Sequence, residues 1–199
     1  MMYKKATMFA ITALCSIAAV CAQNGTYQKK EDNGAYCVIS FQQSGNHVKA
    51  EIFSWWNTPS AQNGNYSGAG EIKNNTVLLQ SDENDPDCKV RLSLVKDQLK
   101  ASFGECNTDH LPTDFNGLYQ KITEAVAGEY AVTSPKAYFY KNTSLTSKQK
   151  AYVIKGDKVR LDIDRIAASK QNWVYVYFTN NSGKDIPGYM LLTELKRVD

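Results

Sequence analysis

DCKVRLSLVKDQLKASFGEC, from Asp87 to Cys106, runs on into NTDHLPTDFNGLY, ending at Tyr119. Two runs of alternating apolar and polar residues flank a polar turn at residues 96–98. A period of two belongs to strands that bury one face, so a hairpin is expected. The apolar pattern matches Leu94 with Leu99, Leu92 with Ala101 and Val90 with Phe103. A direct pairing of Cys88 with Cys106 needs a register one residue away, and a slip of one turns every side chain to the other face. A bulge at Gly104 reconciles the two, because a bulge inserts one residue near a strand end. A Cys88–Cys106 disulfide is therefore expected. Residues 117–119 (Gly-Leu-Tyr) echo Gly25-Thr26-Tyr27, so the stretch reads as the closing half of a small β-barrel and the end of a first domain.

Short strands are expected upstream at residues 35–41, 47–53 and 77–80, punctuated by turn residues at Asn33-Gly34, 44–46, Asn63-Gly64, Ser67-Gly68 and Asn74-Asn75. This density of strands and glycines fits an antiparallel β-barrel or sandwich over residues 23–123. Cys37 shares a face with Ile39 and Phe41, which suits a buried free thiol; its alternative role is as partner to Cys88 or Cys106. Trp55 and Trp56 are adjacent, so their rings leave a strand on opposite sides. They either cover the barrel end or offer a binding edge for protein or sugar. The acidic run at 81–87 lacks the spacing of a twelve-residue calcium loop and reads as a solvated turn.

The chain begins with a charged segment carrying Lys4 and Lys5, an apolar run at 6–20 and small residues up to Ala22. That is the grammar of a signal peptide, 1–22, cleaved before Gln23. The apolar run is shorter than the roughly 20 residues needed to span a bilayer, and no later segment is apolar enough to do so. Lipoprotein anchoring at Cys21 is a minor alternative, since the residues before it match a lipobox poorly. An exported protein, periplasmic or extracellular, is permitted disulfides. The remaining chain has 21 basic and 20 acidic side chains, which removes any general electrostatic reason to hold nucleic acid. Residues 23–123 carry 9 basic and 12 acidic groups, and residues 124–199 carry 12 and 8. The asymmetry supports two modules, the second mildly attractive to anions.

The second module, 129–199, has further short strands and no cysteine. Residues 155–157 (Lys-Gly-Asp) form a tight turn between strands. Trp173 to Phe178 reads WVYVYF, placing Trp173, Tyr175 and Tyr177 on one face and Val174, Val176 and Phe178 on the other. Three blocks follow in order: residues 151–159 with the lysine-glycine turn, then Trp173-Val174 with Val176, then Gly188-Tyr189-Met190 before Leu195. Together they resemble a bacterial SH3-like (SH3b) domain. The likeness covers about 65 residues of sequence in the C-terminal third. It departs at Tyr189, where tryptophan is usual, and at residues 139–141, where many members carry Asn-Val-Arg. The resemblance implies an SH3-like barrel and an envelope location. The chain is thus expected to be all-β, two small domains, an N-terminal β-barrel or sandwich followed by an SH3-like barrel.

Catalytic signatures are absent from the sequence: there is no HExxH, CxxC, phosphate loop or nucleophile elbow, and neither His47 nor His110 has a nucleophile motif beside it. No cofactor and no metal site are expected. Tyrosine and tryptophan combine large contact area with a polar handle, so Trp55, Trp56, Tyr138, Tyr140, Trp173, Tyr175 and Tyr189 are the candidate binding surface. The expected function is that of an exported, noncatalytic binding protein of the bacterial cell envelope, whose partner is an envelope protein or a peptidoglycan component. An inhibitor or immunity protein against a wall-active enzyme, and a wall-active hydrolase with an unusual site, are the alternatives.

Overall fold

The computed structural model describes residues 23–82, 87–106, 113–166 and 172–198. The leader with Cys21, the middle of the acidic loop and His110 lie outside the described residues.

Eight antiparallel strands follow one another around a closed barrel: β1 (Gly25–Lys30), β2 (Tyr36–Ser44), β3 (His47–Trp55), β4 (Asn63–Lys73), β5 (Thr76–Ser81), β6 (Lys89–Val95), β7 (Gln98–Gly104) and β8 (Gly117–Thr123). Each strand pairs with its neighbours in sequence, and β8 returns to pair with β1 through Gln28↔Gln120 and Tyr27↔Lys121. Closure leaves no free edge. Inward positions carry Tyr27, Ile39, Phe41, Ile52, Leu79, Leu92, Leu99, Phe103 and Tyr119, all buried in one cluster that fills the interior. Lys49, Glu71, Lys89, Arg91 and Lys100 alternate with them on the outside. Apolar inside and charged outside is the reverse of a barrel made for lipid.

The hairpin register follows the apolar pattern: Val90↔Phe103, Leu92↔Ala101 and Leu94↔Leu99. The Cys88–Cys106 disulfide forms, with Cα atoms 4.2 Å apart. The odd residue, however, is not at Gly104, which pairs regularly with Lys89. Glu105 absorbs it by taking a left-handed φ of 58° just beyond the ladder. Residues 63–64 and 67–68, expected as turns, lie inside the eleven-residue β4. Gly68 and the neighbouring Gly70 serve close approach instead of chain reversal. A Cβ on Gly68 would stand 2.6 Å from the Tyr66 hydroxyl, and one on Gly70 would stand 2.4 Å from the Leu78 carbonyl oxygen. Strand β1, whose side chains alternate only weakly, is legible only through its partners.

The second unit contains β9 (Gly128–Val132), β10 (Lys136–Tyr140), β11 (Lys148–Ile154), β12 (Lys158–Leu161), the single-turn helix α1 (Ile163–Ile166), β13 (Trp173–Thr179), β14 (Asp185–Leu191) and β15 (Leu195–Arg197). The strands form one seven-stranded sheet in the order β11-β10-β14-β13-β12-β9-β15. This corrects the expectation of an SH3-like barrel, because the sheet is not closed. Closure needs two partners for every strand. Here β11 pairs with β10 alone and the three-residue β15 with β9 alone, so the sheet ends in two edges. The turn at residues 155–157 is present, with Gly156 at φ 94°. It joins strands that do not pair with each other, and it secures β9 by accepting from Val132 N at the Asp157 carbonyl, 2.9 Å. Phe139, Val153, Val159, Leu161, Ile166, Val174, Val176 and Met190 form the core.

Residues 125–127 are a buried strap between the units. Thr26 Oγ1 donates to the Ala125 carbonyl (2.7 Å), and Ala127 N donates to Ser40 Oγ (2.7 Å). The Tyr130 hydroxyl donates to the Val126 carbonyl (2.8 Å) and accepts from its N–H (3.0 Å). Arg197 donates to the Ala127 carbonyl. Thr26, Val38, Ser40 and Phe53 point away from the barrel interior yet are buried, because this strap and α1 cover them. Glu51 lies on the same outer face, beside a cavity of about 60 Å³ that Arg197, Ser67 and Asp82 also line. Burial raises its carboxyl above the usual range, and the Arg197 charge only partly offsets that.

Candidate functional site: an aromatic stripe on the open sheet

The site follows from strand alternation. Along β13, Val174 and Val176 enter the core, which turns Trp173, Tyr175 and Tyr177 outward. Along β10, Ala137 and Phe139 are buried and Tyr138 and Tyr140 point the other way. The ladder then aligns these positions across strands: Tyr140↔Tyr189, Tyr175↔Tyr189 and Tyr138↔Tyr152. Rings meet edge to face, Tyr140 with Trp173 at 4.9 Å, Tyr175 with Tyr189 at 5.0 Å and Tyr175 with Tyr177 at 5.6 Å. Tyr138 and Tyr152 lie 5.8 Å apart at a tilt. Edge-to-face pairs of this kind contribute about 0.5–1.5 kcal/mol beyond the area they bury, so the stripe is held in shape by its own contacts. Trp173, Tyr175, Tyr177 and Tyr189 are half-buried and Tyr152 is exposed. The units touch instead through the strap, α1 and the outer face of β2 and β3.

Cations border the stripe. Lys148 Nζ stands 3.4 Å over the Tyr138 ring and Lys136 Nζ 3.7 Å over Tyr152. At the other end Arg160 lies 5.7 Å from Tyr177 and Arg165 5.5 Å from Tyr175, within cation–π range. One carboxylate interrupts the pattern. Glu194 Oε2 is buried with no hydrogen-bond partner among the described residues. Burial raises its carboxyl above the ordinary range, against the pull of Lys148. Burial, and then the Glu194 charge, also raises the Tyr140 hydroxyl.

Five of the seven sequence-derived candidates, Tyr138, Tyr140, Trp173, Tyr175 and Tyr189, thus meet on one face. The other two lie on the barrel. Trp56 packs edge to face on Phe115 at 4.9 Å and covers the barrel end. Trp55 points outward in register with Tyr36. Tyr152, Lys136, Lys148 and Glu194 join the site without having been singled out. Tyr152 could have been found by pairing residues across the β10–β11 hairpin; Glu194 follows a strand end, and only the fold brings it near Tyr140.

Cys37 is fully buried beside Tyr119 inside the barrel. Burial pushes its thiol up to about 12. A thiol held neutral is a poor nucleophile. Among the described residues no group of three or more His, Cys, Asp or Glu side chains is placed to hold a metal ion, and no helix is long and apolar enough to cross a membrane. No protein-family model matches the chain, and neither the curated proteins nor the solved structures include a match to it.

Proposed function

We propose that this chain is an exported, noncatalytic binding protein of the bacterial cell envelope, and that it recognises an envelope protein or a wall component through the aromatic stripe. The observation that carries the reading is the convergence of the half-buried Tyr138, Trp173, Tyr175 and Tyr189, backed by the buried Tyr140, on one side of the second sheet. A preformed row of rings gives contact area at low entropic cost. The ordered blocks at 151–159, 173–176 and 188–195 relate the second unit to bacterial SH3-like domains in sequence pattern, and the leader at 1–22 supports export.

The test uses residues 23–199 and a Tyr175→Ala/Tyr189→Ala variant with an unchanged melting curve. Each is incubated with purified insoluble cell wall and, separately, with a membrane-protein extract. Retention on one of the two, weakened at least tenfold in the variant, is the expected result. Equal retention of both proteins removes the stripe from the mechanism, and turnover of wall fragments by the purified protein overturns the noncatalytic reading.

A further inference from the structure

The open sheet has a second feature, distinct from its face. Strand β11 is a terminal strand with no strand on the side away from β10; at its end Ile154 N donates to Asp157 Oδ2, 2.8 Å. Such an edge is a template for another strand. Its exposed positions alternate as Lys148, Lys150, Tyr152 and Ile154. Large exposed apolar side chains gather there: Tyr152 is 49% and Ile154 52% exposed, and Leu145, just before the strand, is 65% exposed. The charge beside it has one sign. Lys136, Lys148 and Lys150 form no ion pair with a carboxylate among the described residues, although Lys148 feels the field of Glu194.

We propose that β11 is a docking edge for an extended acidic segment of another protein, which adds to the sheet as a further strand. Main-chain hydrogen bonds to the free edge supply affinity in this mode, and alternate side chains supply specificity. Apolar residues of the incoming strand cover Tyr152 and Ile154, while its carboxylates meet Lys148 and Lys150. The same lysines argue against a second copy of this chain as occupant. In full antiparallel overlap, β11 against β11 sets Lys148 opposite Ile154 and Lys150 opposite Tyr152, so each ammonium group faces an apolar side chain and no carboxylate across the ladder. The lysines therefore both guard the edge and select what joins it. The edge shares Tyr152 and Lys148 with the border of the aromatic stripe but does not include Tyr175 or Tyr189, so substitution of those two tyrosines separates the surfaces.

The test titrates residues 23–199 with a capped seven-residue peptide of alternating glutamate and valine, and with its glutamine and lysine analogues. Amide hydrogen exchange reads where the peptide sits. The expected result is saturable binding of the acidic peptide, at least tenfold weaker binding of both analogues, and slowed exchange confined to residues 148–154. A Lys148→Glu/Lys150→Glu variant changes only exposed side chains and should lose the acidic peptide and gain the lysine one. The Tyr175→Ala/Tyr189→Ala variant should bind the acidic peptide unchanged. Absence of binding at millimolar peptide, binding without protection of the β11 amides, or concentration-dependent dimerisation protecting those amides would each overturn the proposal.

Discussion

The barrel and the open sheet solve the same problem in opposite ways. Both are built from short antiparallel strands with one apolar face. The barrel turns that face inward, closes β8 onto β1 and ties its last hairpin with a disulfide. Every strand has two partners, and the outer surface is left to charged side chains and to the join. The sheet stops short of closure. It lacks a disulfide, its two end strands stay open on one side, and its outer face carries tyrosines where the barrel carries lysines and glutamates. A closed barrel has only loops and a packed exterior to offer a partner, whereas the open sheet offers a face and an edge. The difference teaches that, on the function proposed above, the unit that did not close is the one with a surface for binding.

The contrast can be broken experimentally, most forcefully in the unit without a covalent tie. Phe139 is buried in the sheet core and packs against Gly188, where even a Cβ would stand 3.0 Å from its ring. Phe139→Ala should cost about 3–5 kcal/mol. Loss of the near-ultraviolet signal of the stripe, with the barrel amides still protected, is the expected result; simultaneous loss of both would mean that the units fold as one. The next effect belongs to the barrel. Replacing Cys88 and Cys106 by alanine opens a loop of 18 residues' separation and should cost about 3 kcal/mol by the chain-entropy estimate. Chemical denaturation should show the barrel transition moving and the sheet transition staying in place.

The smallest effect lies at the join. The folded-state carboxyl of Glu51 is raised by burial, so the charged form is disfavoured in the native state. Its contribution to stability is full below the unfolded carboxylate value and is lost as pH rises through the raised one. Glu51→Gln should therefore match the wild type at the acid end of that window and gain a small advantage towards neutral pH. A thermal melting series across pH checks the sign. A variant less stable than the wild type at neutral pH would show that Arg197 attracts the charged carboxylate more strongly than burial penalises it.

Much of this architecture is legible in local pattern. Residues 89–104 announce their hairpin because apolar residues alternate on both sides of a polar turn, and the register falls out of matching them. Residues 136–140 and 173–179 are equally plain, and their alternation already separates Trp173 and Tyr175 from Val174 and Val176. The glycines of β4 mislead because turn and close approach ask for the same residue, and only a neighbouring Tyr66 or Leu78 tells them apart. The extra residue of the disulfide hairpin settles at Glu105 because backbone strain there is relieved outside the ladder, which residue identity does not encode.

By itself, then, the sequence determined the all-β class, the hairpin register and the disulfide, since each depends on neighbours close in the chain. Only the tertiary structure decided that the first unit closes and the second does not. Closure depends on whether residues far apart, β1 with β8 or β11 with β15, find each other's hydrogen-bonding groups. The same long-range pairing laid Tyr138, Tyr140, Trp173, Tyr175 and Tyr189 side by side, sent Trp55 and Trp56 to the barrel instead, and left Lys148 to Ile154 with a strand partner on one side only.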